Sequence, residues 1–217
     1  MTSIAVTDRL SARRRWGWWA MAIFALPVVV YAAGIAIVGE RMYTPGLADS
    51  FKARPWGIIP HALFGSIALF IGPLQFHPTL RSRRLELHRW LGRTYVMTAL
   101  ITGVAGVYMA AYSLGGWITH IGFGLLGLGL IICTTQAFRR IRERRVTEHR
   151  RWMIRSYAFL YSAVTLRLEI PFLVIALGGE FLPAYQIVSW LSWVPNILFA
   201  EWLIRRDPQG ALVPAVA

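Results

Sequence analysis

Four of the five histidines occupy matched places in the chain. His61 opens the run His61-Ala-Leu-Phe64-Gly65, and His120 opens His120-Ile-Gly-Phe123-Gly124. Each is followed by a glutamine and an aromatic residue, Gln75-Phe76 in the first copy and Gln136-Ala-Phe138 in the second. A basic stretch comes next. It leads to His88-Arg89-Trp90-Leu-Gly-Arg93-Thr-Tyr95 in the first copy and His149-Arg-Arg-Trp152-Met-Ile-Arg155-Ser-Tyr157 in the second. The two histidines of a copy stand 27 residues apart in the first and 29 in the second. Two neutral imidazoles at one level, on opposed helices, are what an axial bis-histidine haem site requires. Two such levels would hold two haems, so the metal-ligand candidates are His61 with His120 and His88 with His149. Arginines near them, Arg89, Arg93, Arg150 and Arg155, suit haem propionates, and suit lipid phosphates equally. Read singly, each histidine is a half-buried polar tip at an interface.

The elements that would position these residues are long apolar runs. Of 217 residues 56% are hydrophobic and 15% charged, a balance that cannot supply the outer surface of a soluble domain. About 20 apolar residues cross the hydrocarbon core as a helix. Six runs qualify: Trp16–Val38, Ile58–Phe76, Thr94–Leu114, Trp117–Phe138, Ser156–Leu177 and Ala184–Ile204. Leu114-Gly115-Gly116-Trp117 is the natural hairpin turn between the third and fourth. The fold class is therefore all-α, a polytopic membrane protein of six transmembrane helices. Residues 16–206 form the membrane domain, 1–15 a basic N-terminus and 207–217 a disordered tail. The first run is too long for a cleaved signal and reads as an anchor. The lone cysteine, Cys133, lies inside an apolar run and excludes an intrachain disulfide.

The net charge of +13 is distributed in the short gaps between runs. Nineteen Lys and Arg fall on one side of the membrane if the N-terminus is cytoplasmic, and only Arg41, Lys52 and Arg54 fall on the other. That asymmetry expects both termini on the cytoplasmic side of a bacterial inner membrane. The basic face suits anionic lipid headgroups, and nothing beyond charge points to nucleic acid.

Each copy of the repeat, about 58–114 and 117–177, contains two crossings. The copies thus run in the same direction, related by a pseudo-two-fold axis along the membrane normal. We expect a core four-helix bundle from spans 2–5, built from two repeated helical hairpins, with spans 1 and 6 outside. His61 and His120 each lie three residues into their spans, roughly 5 Å below the outer interface. His88 and His149 fall just outside the cytoplasmic ends of theirs. His77, followed by Pro78, has no counterpart and reads as a helix terminus.

Arg167 is the one basic residue inside a span. Intramembrane arginine is expensive and faces the bundle interior with a partner. Its candidates are Glu201, Asn196 and a haem propionate; Glu169 projects to nearly the opposite side of the helix. Gln75 and Gln136 could bond a quinone carbonyl or another helix. The glycines Gly122, Gly124, Gly127 and Gly129 permit close approach by a helix or by a flat macrocycle.

The stretch from Gln75 through Tyr95, with His149–Tyr157 and Thr165-Leu-Arg167-Leu, resembles a large family of uncharacterised bacterial membrane proteins, matched from His61 to Pro171. That resemblance implies topology, not chemistry. Leu87-His88-Arg-Trp90-Leu-Gly92 more distantly resembles the Leu-His-Ser-Trp-hydrophobic-Gly motif of the transmembrane di-haem cytochrome b family, which takes electrons from ascorbate. Here an arginine follows His88 in place of the small polar residue. The resemblance implies six helices with the haems in the middle four. It pairs His61 with His120 and His88 with His149.

The functional expectation is a b-type haem electron carrier with one or two haems, passing electrons from quinol or a small reductant across the membrane. The rival is a non-haem membrane protein, a transporter or scaffold, whose polar residues only bridge helices. Transporter sites tend to use helices broken at mid-membrane. By sequence Pro27, Pro171 and Pro195 interrupt spans, none at a paired position of the repeat.

Overall fold

The computed structural model describes residues 2–207, the side chains of residues 2–15, Pro78, Thr79 and Arg81 excepted. All but the first residue of the expected tail thus lie outside the described residues. Every regular element among the described residues is helical: α1 (Thr2–Val38), α2 (Ala48–Lys52), α3 (Pro55–Phe76), α4 (Pro78–Arg83), α5 (Leu85–Ala110), α6 (Trp117–Arg142), α7 (Val146–Leu160), α8 (Ser162–Ala176), α9 (Phe181–Leu191) and α10 (Val194–Arg206), with two short 3-10 turns before α2. The starts follow local chemistry. Prolines 55, 78 and 195 stand in the first turns of α3, α4 and α10, where a missing N–H costs nothing. Gly115 and Gly116 take φ of 94° and 67° between α5 and α6, so the expected hairpin turn is there, in a conformation glycine enters without a Cβ penalty.

Five helical runs are long and apolar enough to cross a membrane: Trp16–Met42, Pro55–Phe76, Trp117–Arg142, Val146–Ala176 and Phe181–Arg206. The expected third span is not among them. Its helix, α5, is 26 residues long, but it begins Leu-Glu-Leu-His-Arg and is free of charge only after Arg93. Two of the five runs are broken partway. α7 gives way to α8 at Tyr161, where Val164 N bonds Tyr161 O in a tighter i→i+3 turn. α9 gives way to α10 at Ser192–Trp193, just ahead of Pro195. Pro27 and Pro171, which the sequence offered as interruptions, lie inside continuous helices.

α3 packs against α5 and α7, and α6 packs against α5 and α7, so α3 and α6 stand on one diagonal of the core and α5 and α7 on the other. α1 lies against α3, α9 against α6 and α8, and α10 against α7. Lipid supplies no hydrophobic force between helices, so close packing of small residues and hydrogen bonds must hold them. At Gly72 of α3 the Tyr157 ring of α7 comes so near that an added Cβ would stand 1.9 Å from Tyr157 Cε2. A fully buried chain of hydroxyls joins three helices: Tyr95 Oη to Ser156 Oγ at 2.9 Å, and Ser156 Oγ to Thr134 Oγ1 at 2.7 Å. Each such bond is worth about 1 kcal/mol net, and more if one partner were stranded.

The break in the fifth run is tied to the break in the sixth. Thr165 Oγ1 donates to Ser192 O at 2.5 Å, and Asn196 Nδ2 donates to the same carbonyl at 3.0 Å. Carbonyls released by the interrupted helices thus find partners inside the protein, as a lipid surrounding demands.

Candidate functional site

The ends of the core can be told apart. At the upper end α1 and α5 finish and α3 and α6 begin. His61 lies on α3 near this end, six residues from Pro55. Its Nδ1 stands 3.1 Å from Thr102 O of α5, and the ring lies over Gly106, where a Cβ would come within 3.3 Å of Nδ1 and Cε1. A carbonyl can only accept, so in the neutral ring Nδ1 carries the proton and Nε2 keeps its lone pair. Histidines that ligate metals show this arrangement, the far nitrogen bonded to a carbonyl and the near one left for the ion.

His61 lines a cavity of about 490 Å³ in the upper half of the bundle. That is within the usual span of sites for small molecules and cofactors. Gly103, Gly106 and Gly127 thin its walls, and Leu69, Leu130, Phe159 and Leu160 close its lower end. Above, Thr44, Ser50 and Phe51 from the α1–α3 connection and Ser113 from the α5–α6 turn supply polar and aromatic edges. Tyr31 of α1 reaches Thr44 Oγ1 at 2.9 Å.

Arg167 of α8 lines the same cavity. Its Nη1 donates to Ala163 O at 2.8 Å, and its guanidinium carbon lies 5.0 Å from the centre of the Tyr31 ring. Among the described residues no carboxylate forms an ion pair with it. The two protein partners expected for Arg167 are engaged elsewhere. Glu201 takes Arg155 in a two-pronged pair, and Asn196 bonds Thr165 Oγ1 and Ser192 O. Glu169 does not reach it, and Glu169 Oε2 is buried without a hydrogen-bond partner.

His120 does not line the cavity, although Phe123 and Gly127, on the same face of α6, do. It sits one turn above Phe123, and its Nε2 donates to Ser113 O at 3.0 Å, with Trp117 edge-on to its ring. The outer pair is therefore treated unequally, one ring aimed at α5 and the other turned toward the loop. Sequence offers no signal for this, because Ser113 O belongs to a turn.

At the lower end His149 repeats the His61 pattern. Its Nδ1 donates to Ala137 O of α6 at 2.8 Å, which leaves Nε2 with its lone pair. His88 is half-buried near the start of α5, and Arg93 is exposed one turn further on. Arg155 is gripped by Glu201 and Arg150 by Asp207, the latter at 2.6 Å. Neither His88 nor His149 lines the upper cavity. His77 is the junction of α3 and α4, its ring edge-on to Trp18 at 5.0 Å, as a helix terminus should be. Gln75 is buried against Gly92, and its Nε2 makes no hydrogen bond. Of the four glycines on α6, three are met by protein: Gly122 by Ser189, Gly127 by Gly103 O and Val107, Gly129 by the Phe159 ring. Gly124 has nothing within 4 Å.

Residues 58–204 match the model of a family described as predicted membrane proteins (DUF2306). The chain belongs to this family. It is also similar to protoheme IX farnesyltransferase 1 of Vibrio parahaemolyticus, 24% identical over 151 residues that make up 61% of this chain and 49% of that protein. The chain thus spans about half the length of the relative it matches. No solved structure matches it.

Proposed function

We propose that this family member is a b-type haem-binding electron carrier of the membrane, passing electrons between quinol or a small reductant at one face and an acceptor at the other. The observation that carries the reading is His61: an imidazole on a cavity wall, its Nδ1 proton committed to Thr102 O and its Nε2 free to ligate. The cavity's volume, its thin glycine walls and its cationic side chain, Arg167, fit a flat macrocycle bearing carboxylates. The similar farnesyltransferase is named for protohaem IX, which adds to the case.

In this reading α5 crosses as well, making six spans, and α3, α5, α6 and α7–α8 are two repeated hairpins. The contacts of α3 and α6 with both α5 and α7 agree with that bundle. His61 would hold the upper haem, and His120, whose Nε2 bonds Ser113 O here, would be its expected partner ligand. His149 and His88 hold a second haem at the lower end. Haem supplies the one-electron chemistry when bound. The chain supplies the ligand nitrogens, a dry pocket and the positive charges that set how readily the electron is held. Both termini face the cytoplasm of a bacterial inner membrane, and the basic face meets anionic lipid headgroups.

A second reading is favoured by one observation. The breaks at Tyr161 and Ser192–Trp193 are of the kind transporters use at mid-membrane, so a small-molecule transporter is the alternative. Reduction of the detergent-purified protein with dithionite separates the two. The electron-carrier reading expects sharp low-spin α and β bands. A colourless protein from haem-sufficient cells leaves the transporter.

A further inference from the structure

A guanidinium in the interior of an apolar bundle needs an anion or a strong set of acceptors. Among the described residues Arg167 has no anion and a single hydrogen-bond acceptor. It spends one N–H on Ala163 O, sits near the face of Tyr31, and lines the cavity with donors of its fork to spare. It stands nine residues from Ala176, the upper end of α8, so about 14 Å along the helix. His61 stands about 9 Å from the start of α3. The cation and the imidazole thus line one cavity, whose walls include the apolar side chains Leu69, Leu130, Phe159 and Leu160. A freely hydrated ion would gain little from such a site. A mostly apolar molecule bearing one carboxylate would gain both the ion pair and the burial.

We propose that Arg167 is the carboxylate subsite of the upper cavity and that the cavity selects acidic amphiphiles, held with the acid group against Arg167 and Tyr31. On the haem reading, on which this identification of the ligand rests, the carboxylate is a propionate. An acyl carboxylate has the same chemistry, and the subsite stands without haem if that is its source. The guanidinium fork accepts the two carboxylate oxygens side by side, which an ester cannot reproduce with the same charge. Arg167 is a binding and positioning residue, since it leaves the iron-ligating role to His61.

The test compares acids with their esters on the purified full chain. Protohaem IX and its dimethyl ester are titrated by absorbance, and cis-parinaric acid and its methyl ester by fluorescence. The wild type should favour the acid of at least one pair by about tenfold, the weight of a hydrogen-bonded charge pair. Arg167→Gln should erase that preference, while Arg167→Lys should keep part of it. If protohaem shows the preference, subsite and haem reading both stand. If only parinarate shows it and protohaem does not bind, the subsite stands and the haem reading falls. Protohaem that binds equally as acid and ester overturns the subsite and leaves the haem reading intact, provided parinarate shows no preference either. Failure of every probe to bind overturns the subsite. The acid-to-ester ratio is read on wild-type protein, so it does not depend on the folding of a variant.

Discussion

Arg155 and Glu201 face each other across α7 and α10, Nε to Oε1 at 2.5 Å and Nη2 to Oε2 at 2.9 Å. The side chains are 21% and 32% exposed, so water reaches the pair and softens it, but the paired geometry helps hold the two helices, beside the bonds of Asn196 to Ala158 O and of Arg150 to Asp207. Glu201→Gln removes the charge and one prong. We expect a loss of about 2 kcal/mol, seen as a fall in Tm in detergent of several degrees. An unchanged Tm would mean that Arg155 finds an equivalent partner, and the joint between α7 and α10 would need another explanation.

The contact of Gly72 with Tyr157 makes a sharper test of packing. Gly72→Ala places a methyl group where the ring already is, and overpacking of this kind costs about 2–3 kcal/mol. Tyr157→Ala clears the space at its own cost. The double variant should therefore be less damaged than the sum of the two single variants. Strict additivity in thermal unfolding would show that α3 and α7 do not meet there.

Thr165 ties the break in the fifth span to the break in the sixth. Thr165→Val removes the hydroxyl that donates to Ser192 O and keeps the side-chain shape. The expected loss is about 1–2 kcal/mol, against less than about 0.5 for Ser50→Ala, whose hydroxyl makes a long, exposed bond of 3.4 Å. Equal Tm shifts in the two variants would contradict a joint held by this bond.

Glu143 lies in the connection between α6 and α7. The hydrogen bond from Arg140 holds its carboxyl below the ordinary glutamate value, and the charges of Arg140, Arg145 and Arg139 act the same way. A carboxyl lowered by folding contributes stability that is present above its unfolded pKa, about 4.3, and is lost as pH falls through the lowered folded value. Glu143→Gln should therefore lower Tm slightly at pH 7, with the gap to wild type closing as the medium is acidified below about 4 and narrowing in high salt. A gap that widens on acidification would contradict the assignment.

The apolar runs, the Gly115–Gly116 turn and the junction at His77 were legible in the sequence, because length, glycine and proline each act locally. The interruptions were not. A proline marks only one of them, Pro195, while Pro27 and Pro171 stay within helices; the break at Tyr161 is a tightened turn in an unremarkable apolar stretch. Glu201, a candidate partner of Arg167 by sequence, pairs with Arg155 for a related reason. Arg155 and Arg167 lie twelve residues apart on one span, and only the packing of α10 decides which of them Glu201 meets. The third span reads as apolar from Thr94 onward, and the structure sets Glu86, Arg89 and Arg93 in the first turns of the same helix, ahead of that run. The histidine pairs were legible as a repeat of sequence, yet His120 spends a ring nitrogen on Ser113 O, a bond that no spacing announces.

His61 is where the functional account is most exposed to test. Haem-to-protein stoichiometry, from the pyridine haemochromogen and a quantitative amino-acid analysis, should be measured for wild type, His61→Ala and His120→Ala, with His77→Ala as the control. The account predicts that wild type carries haem, that His61→Ala and His120→Ala each lose one equivalent, and that His77→Ala keeps the wild-type count. A wild-type protein without haem, or a His61→Ala variant with the full count, would contradict it.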